Sequence, residues 1–293
     1  MNWELAKTWL IVMFLLLDAM LGWQVYESHR ELTGYVESYA DQLANTKTLL
    51  AEHGFSLDTT VPVDHPDMAF LQAIPQVPAL TQLAKQAFPD AAAQAGPEIT
   101  GDQVSTDEGT VHVLHRDDAT WQVSYAAGRK LGAKGTDGEL QYVWQGSRYT
   151  ADVGRDALDV SGVGEGHRAA WYVERFGDFP VFDAAVRLDV VNGMMVGYLQ
   201  TYVDSMEETG DRKPTITALD ALNNLASSVD KSADGSDNKI LNIALGYYHK
   251  PADGTAGRAQ LPSTSYWFPV WRVITNQSTF YINAFTGEVE TPS

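Results

Sequence analysis

The chain has 293 residues and a formal net charge of −18, from 38 acidic against 20 basic side chains. That balance works against a nucleic-acid partner, because phosphate backbones are held by clusters of Lys and Arg, and equally against adhesion to anionic lipid. With 44% hydrophobic and 11% aromatic residues a packed core is expected, and with no cysteine neither a disulfide nor a lipidated cysteine anchor is available.

Residues 1–4 are a short N-terminal flank. Leu5 to Tyr26, LAKTWLIVMFLLLDAMLGWQVY, holds the one long apolar run. About 22 residues at 1.5 Å of rise give roughly 33 Å, enough to cross a hydrocarbon core. Trp9 and Trp23 lie near its ends, where amphipathic rings favour the membrane–water interface. A cleaved signal peptide needs small residues before the cut, which Leu21–Gly22–Trp23 does not supply. The run reads as a retained single-pass anchor. Lys7 on its N-terminal side gives a small positive-inside bias, placing the chain after Tyr26 outside the cytoplasm.

Asp18 is the unusual residue of this span. A carboxylate in an apolar helix is disfavoured by a few kcal/mol and faces a partner helix or stays hydrated near the interface. Helical spacing puts Leu15, Asp18 and Gly22 on one face, and Gly22 permits close approach. That face is a candidate contact with another transmembrane helix; hydration of Asp18 near the outer surface is the competing reading.

Residues 27–54 read as a stalk or packing helix, with Leu32, Val36, Tyr39, Leu43, Thr46 and Leu50 in steps of four and three and Gly54 as its stop. A first α+β module is expected over 55–205. It opens with a strand at 55–63 and a loop-rich stretch punctuated by six prolines up to Pro97, in which 79–88 is helical. Thr110–Leu114 and Thr120–Tyr125 alternate around Arg116–Asp117–Asp118 as a hairpin, and 139–144 with 147–152 as another across Gln145–Gly146. Arg168–Phe176 fits helix or strand. Phe182–Val191 and Met194–Val203 flank Asn192–Gly193, the dipeptide a type I′ turn requires.

A second module is expected over 206–293, entered through a polar connector at Met206–Lys213. Thr217 caps a helix running to about Val229, and a polar loop leads to a strand at Ile240–Tyr248. A final hairpin pairs Pro269–Thr275 with Thr279–Asn283. Trp267, Trp271, Tyr281 and Phe285 are the expected core of that hairpin.

Each catalytic or ligand-binding motif fragment in the chain is incomplete. Ser228–Lys231 and Ser236–Asn238 mimic fragments of penicillin-recognising enzymes, but they share one short loop where those enzymes need separate elements. The same loop begins like a calcium hand, but Leu241 stands where the bidentate Glu belongs. His112 and His115 are three apart on a strand and point to opposite faces. Gly162, Gly164 and Gly166 lack the strand and Lys–Ser/Thr pair of a phosphate loop. No catalytic, cofactor or metal residue is assigned.

The anchor, the helix ending LLAEHGFSLD, and the segments DVVNGMMVGYLQTYV, TALDALNNL, ILNIALGYY and FPVWRVITNQSTFYINAFTGEVE together resemble the YycI family. The resemblance implies an α+β fold of two related extracytoplasmic modules behind one transmembrane helix. It also implies a non-enzymatic role without cofactors, regulating a sensor histidine kinase of the WalK/YycG type beside a YycH-like companion. The alternatives are an anchored exported enzyme or ligand-binding domain using a groove between the modules, and a bitopic scaffold of cell-wall assembly.

Overall fold

The computed structural model describes residues 38–91, 98–159, 166–229, 238–249 and 265–290, together with the helical positions Lys7, Met13, Phe14, Leu17, Asp18, Met20 and Leu21. Contacts divide the chain into two units, Met1–Thr46 and Lys47–Ser293. In the first, Met13, Phe14, Leu17, Met20 and Leu21 each expose half or more of their surface. Among the described residues no helix is long and apolar enough to cross a membrane. The anchor expected at 5–26 falls largely outside the described residues, as does the first part, 27–37, of the helix expected over 27–54. Helix α1 is Tyr39–Glu52. Ser38 Oγ accepts from the Asp41 N–H at 3.2 Å at its start, and Gly54 at φ +83° ends it in the left-handed region.

The second unit is sheet-dominated α+β. Its elements are β1 Phe55–Leu57, β2 Met68–Pro75, α2 Leu80–Ala87, β3 Glu98–Thr100, β4 Gln103–Thr106, β5 Gly109–His115 and β6 Thr120–Lys130. The one-turn α3 Thr136–Glu139, β7 Tyr149–Ala151, α4 Val153–Asp159, β8 His167–Phe176, β9 Phe179–Val191, β10 Met194–Thr201 and β11 Val203–Lys213 follow. The chain then forms α5 Ala218–Ser228, β12 Asn238–Tyr248, β13 Ser265–Thr275, β14 Thr279–Asn283 and β15 Val289–Glu290.

The strands connect in the order β11–β2–β13–β12–β9–β10–β6–β5–β4–β3, with β8 on the other edge of β9. Pairing is antiparallel except for β1 against β12 and β12 against β9. The β9–β10 hairpin turns through Asn192 at φ +51° and Gly193 at φ +76°, the two positive values a type I′ turn needs. Helix α5 starts with a reciprocal capping box: Asp220 N–H donates to Thr217 Oγ1, and Thr217 N–H to Asp220 Oδ2.

Two large buried clusters result. One gathers Leu222 and Leu225 of α5 with Leu71, Ile243, Trp271 and Val273. The other gathers Leu83 and Ala84 of α2 with Val111, Trp121, Val123 and Tyr198. Strand β9 serves both, giving Val181 and Ala184 to the first and Val186 and Leu188 to the second. The buried pair Arg272–Asp152, bonded at 2.5 and 2.7 Å, ties β13 to the residue between β7 and α4, with the guanidinium 4.1 Å from the Phe182 ring.

Three expectations are corrected. Met68–Pro75 is a strand paired with β11 and, over Leu71–Ala73, with β13, not loop: Pro66 precedes it and Pro75 is its last residue, where a missing N–H is harmless. Met206–Lys213 is not a connector but most of β11, whose polar residues suit an edge strand that must not recruit another chain. Residues 139–152 form no hairpin. Leu140–Tyr142 and Gly146–Arg148 are 3₁₀ turns, and β7 pairs with β8. A Cβ at Gly146 would meet the Leu140 carbonyl at 1.9 Å, so that compact turn requires glycine.

Trp271 is fully buried and its Nε1–H donates to the Ile216 carbonyl at 3.0 Å. Trp271→Ala removes both the packing and the bond and is expected to cost about 3–5 kcal/mol. The urea midpoint followed by far-UV circular dichroism checks this; an unchanged midpoint would place the indole outside the core.

Candidate functional site

Strand β9 changes neighbours partway along its length. Its later residues, from Val186 onward, pair with β10, whereas β12 reaches it at Val181. On the opposite edge Val173 pairs with Ala185 but the next residue, Glu174, pairs with Val181. Phe182, Asp183 and Ala184 are therefore extra residues, outside the ladders on both edges. Such an interruption re-aims side chains and ends regular pairing, which is why bulges recur beside functional sites.

Asp183 occupies its centre. Trp267 Nε1–H donates to both carboxylate oxygens, at 2.8 and 3.0 Å, and the His249 backbone N–H donates to Oδ2 at 3.3 Å. Around it opens a cleft of about 210 Å³ whose walls include Asp118, Thr120, Thr201, Tyr248 and Trp267. Strand ends and the β5–β6 turn build it, so its residues are far apart in sequence. The Thr120 and Thr201 hydroxyls share a hydrogen bond of 2.9 Å. Tyr248 stacks on Tyr281 with centroids 4.0 Å apart, and the His249 ring lies 4.8 Å from that of Trp267.

Removal from water sets the electrostatics. Asp183 keeps some solvent access through the cleft, yet burial pushes its carboxyl up to about 7, against the pull of its Trp267 and amide donors and with a small push from Asp118. Burial lowers the His249 pKa, so its imidazole is neutral at neutral pH. Where the β8–β9 ladder breaks, Glu174 is buried against Arg148, and desolvation likewise raises it to about 7 despite that partner. Arg148 also donates to the Tyr202 hydroxyl at 2.9 Å and the Val203 carbonyl at 3.3 Å.

The structure brings some expected residues to this place and leaves others elsewhere. Trp267 forms a wall and Tyr281 backs another; Trp271 lies in the core and Phe285 is half-buried, edge-on to Phe70 at 5.4 Å. Asp18 is exposed on the N-terminal helix, and Leu15 and Gly22 lie outside the described residues. His112 and His115 are both exposed. Among the described residues no group of three or more His, Asp or Glu is placed to hold a metal. The sequence reading missed Asp183, although one signal was there: a carboxylate set within the apolar run FPVFDAAV. The cleft's arrangement of acceptors and aromatic rings is suited to binding.

Residues 75–285 match the family model described as YycI protein. The fold is similar to the crystal structure of an uncharacterized protein from Eubacterium rectale, at 10% identity and a TM-score of 0.50, covering 86% of this chain and 99% of that one. A comparison with curated proteins finds no match.

The raised Asp183 pKa has a consequence for stability. Between about pH 4 and pH 7 the native state keeps a proton that the unfolded chain has released, so stability falls as pH rises through that window and levels off above it. Urea midpoints of the wild type, referred to Asp183→Asn, are expected to be higher at pH 5 than at pH 8. A difference that stays constant with pH would mean Asp183 titrates normally.

Proposed function

This chain belongs to the YycI family, and we propose that it serves as a non-enzymatic, membrane-anchored regulator of a cell-wall-sensing two-component pathway. In this reading it acts on a sensor histidine kinase of the WalK/YycG type, together with a YycH-like companion, through transmembrane and extracytoplasmic contacts. The observation that carries the reading is the family match, which takes in the shared strand β9 and most of both buried cores. The apolar run at 5–26 supplies the anchor, and residues beyond it lie outside the cytoplasm.

A regulator without chemistry of its own shifts a kinase only by binding one of its states better than another, with about 1.4 kcal/mol of difference for each tenfold shift. The span shares its bilayer with the kinase's own helices, so the face of Leu15, Asp18 and Gly22 is the proposed intramembrane contact. Hydrogen bonds of this kind average under about 1 kcal/mol, which tunes an equilibrium without deciding whether the complex forms.

Asp18→Leu is therefore expected to insert normally, leave the sheet domain folded and change kinase output, while co-purification with the kinase or companion is retained in part. Substitution of Met13, on another face, is expected to do little. Unchanged output and unchanged co-purification in Asp18→Leu would remove the span from the mechanism.

A further inference from the structure

We propose that the cleft at the β9 interruption is a receptor for one primary alkylammonium group, with Asp183 and Asp118 as its counter-charges and Trp267 and Tyr248 as walls for its stem. Donor–acceptor balance favours such a group. Among the described residues the lining carries two carboxylates, the hydroxyls of Thr120, Thr201 and Tyr248 and the His249 imidazole, and no Lys or Arg. Fixed donors hold the Asp183 carboxylate in place: Oδ2 accepts from both Trp267 Nε1–H and the His249 amide, and Oδ1, which accepts from Trp267 alone among these bonds, is the oxygen with acceptor capacity to spare. The Thr120–Thr201 bond leaves acceptor capacity on both hydroxyls. An ammonium, with three donors and no acceptor, complements that set.

The walls favour it too. Tyr248 is fixed by stacking on Tyr281, and Trp267 is fixed by its bond to Asp183 and its contact with the His249 ring. Rigid aromatic faces beside carboxylates favour a cation carried on methylene groups, since the ring attracts the charge and the stem covers apolar surface. Size favours it as well. Drug-sized ligands occupy roughly 300 Å³ or more, so about 210 Å³ suits a group of few atoms.

Such a group has two sources, a free amine or a lysine side chain of another protein, and one experiment separates them. Full-length protein in nonionic micelles is labelled with 5-fluorotryptophan, and the Trp267 resonance is assigned by Trp267→Phe. Titration with n-butylammonium chloride is expected to give a saturable shift that sodium chloride at equal ionic strength does not. Asp183→Asn is expected to weaken it by about tenfold or more, as for loss of a charged hydrogen bond. Asp118→Asn, on an exposed turn where folding is not at stake, is expected to weaken it severalfold. A blocked lysine, N-acetyl-lysine methylamide, that binds comparably supports the proposal with a protein-borne group; binding of butylammonium alone supports it with a free amine. A shift no different from sodium's, or equal affinity in both Asp variants, overturns it. No kinase is present in the measurement, so this outcome stands apart from the regulatory reading.

Discussion

Both hydrophobic cores depend on one strand. β9 places Val181 and Ala184 in the core under α5, and Val186 and Leu188 in the core under α2. A backbone shared in this way cannot leave one core without disturbing the other, because side-chain direction and register are fixed together along a strand. The Arg272–Asp152 pair reinforces the junction from the side, with the guanidinium over Phe182 of the same strand. A buried pair of this kind adds little net stability, yet losing either member strands a charge, so it selects against alternative packings.

The same junction generates the site. Two sheet arms, led by β10 and β12, diverge from β9, and the extra residues Phe182–Ala184 sit where they part. Polar groups at such a point have no ladder partners and must find side chains instead. Asp183 finds Trp267 and the amide of His249, and Glu174 finds Arg148. Desolvation raises both acids to about 7, so the junction holds two carboxyls that the fold would hold more easily as apolar residues. Local rules broken at one place mark function more often than accident.

What the sequence revealed follows from how local each signal is. Asn192–Gly193 and the Thr217–Asp220 box are complete within four residues, and both turn and cap stand where expected. Strand β11 was hidden because an edge strand with one partner keeps a polar face, so VDSMEETGDRK carries no alternation to read. Strand β2 was hidden by its flanking prolines, and the 139–152 turns by a left-handed Gln145 that no propensity announces. The cleft was least legible of all. Asp118, Asp183, Tyr248 and Trp267 come together only through the pairing of distant strands, and nothing local in sequence encodes a ladder break.

In this structure β9 makes the sheet domain one cooperative unit around its junction. Native-state amide hydrogen exchange of the full-length protein, followed against denaturant, is the decisive test. Amides of β6, from the core under α2, and of β13, from the core under α5, are predicted to converge on a single opening free energy. Exchange of β6 through a separate, lower-energy opening while β13 stays protected would contradict the claim and make the two cores independent.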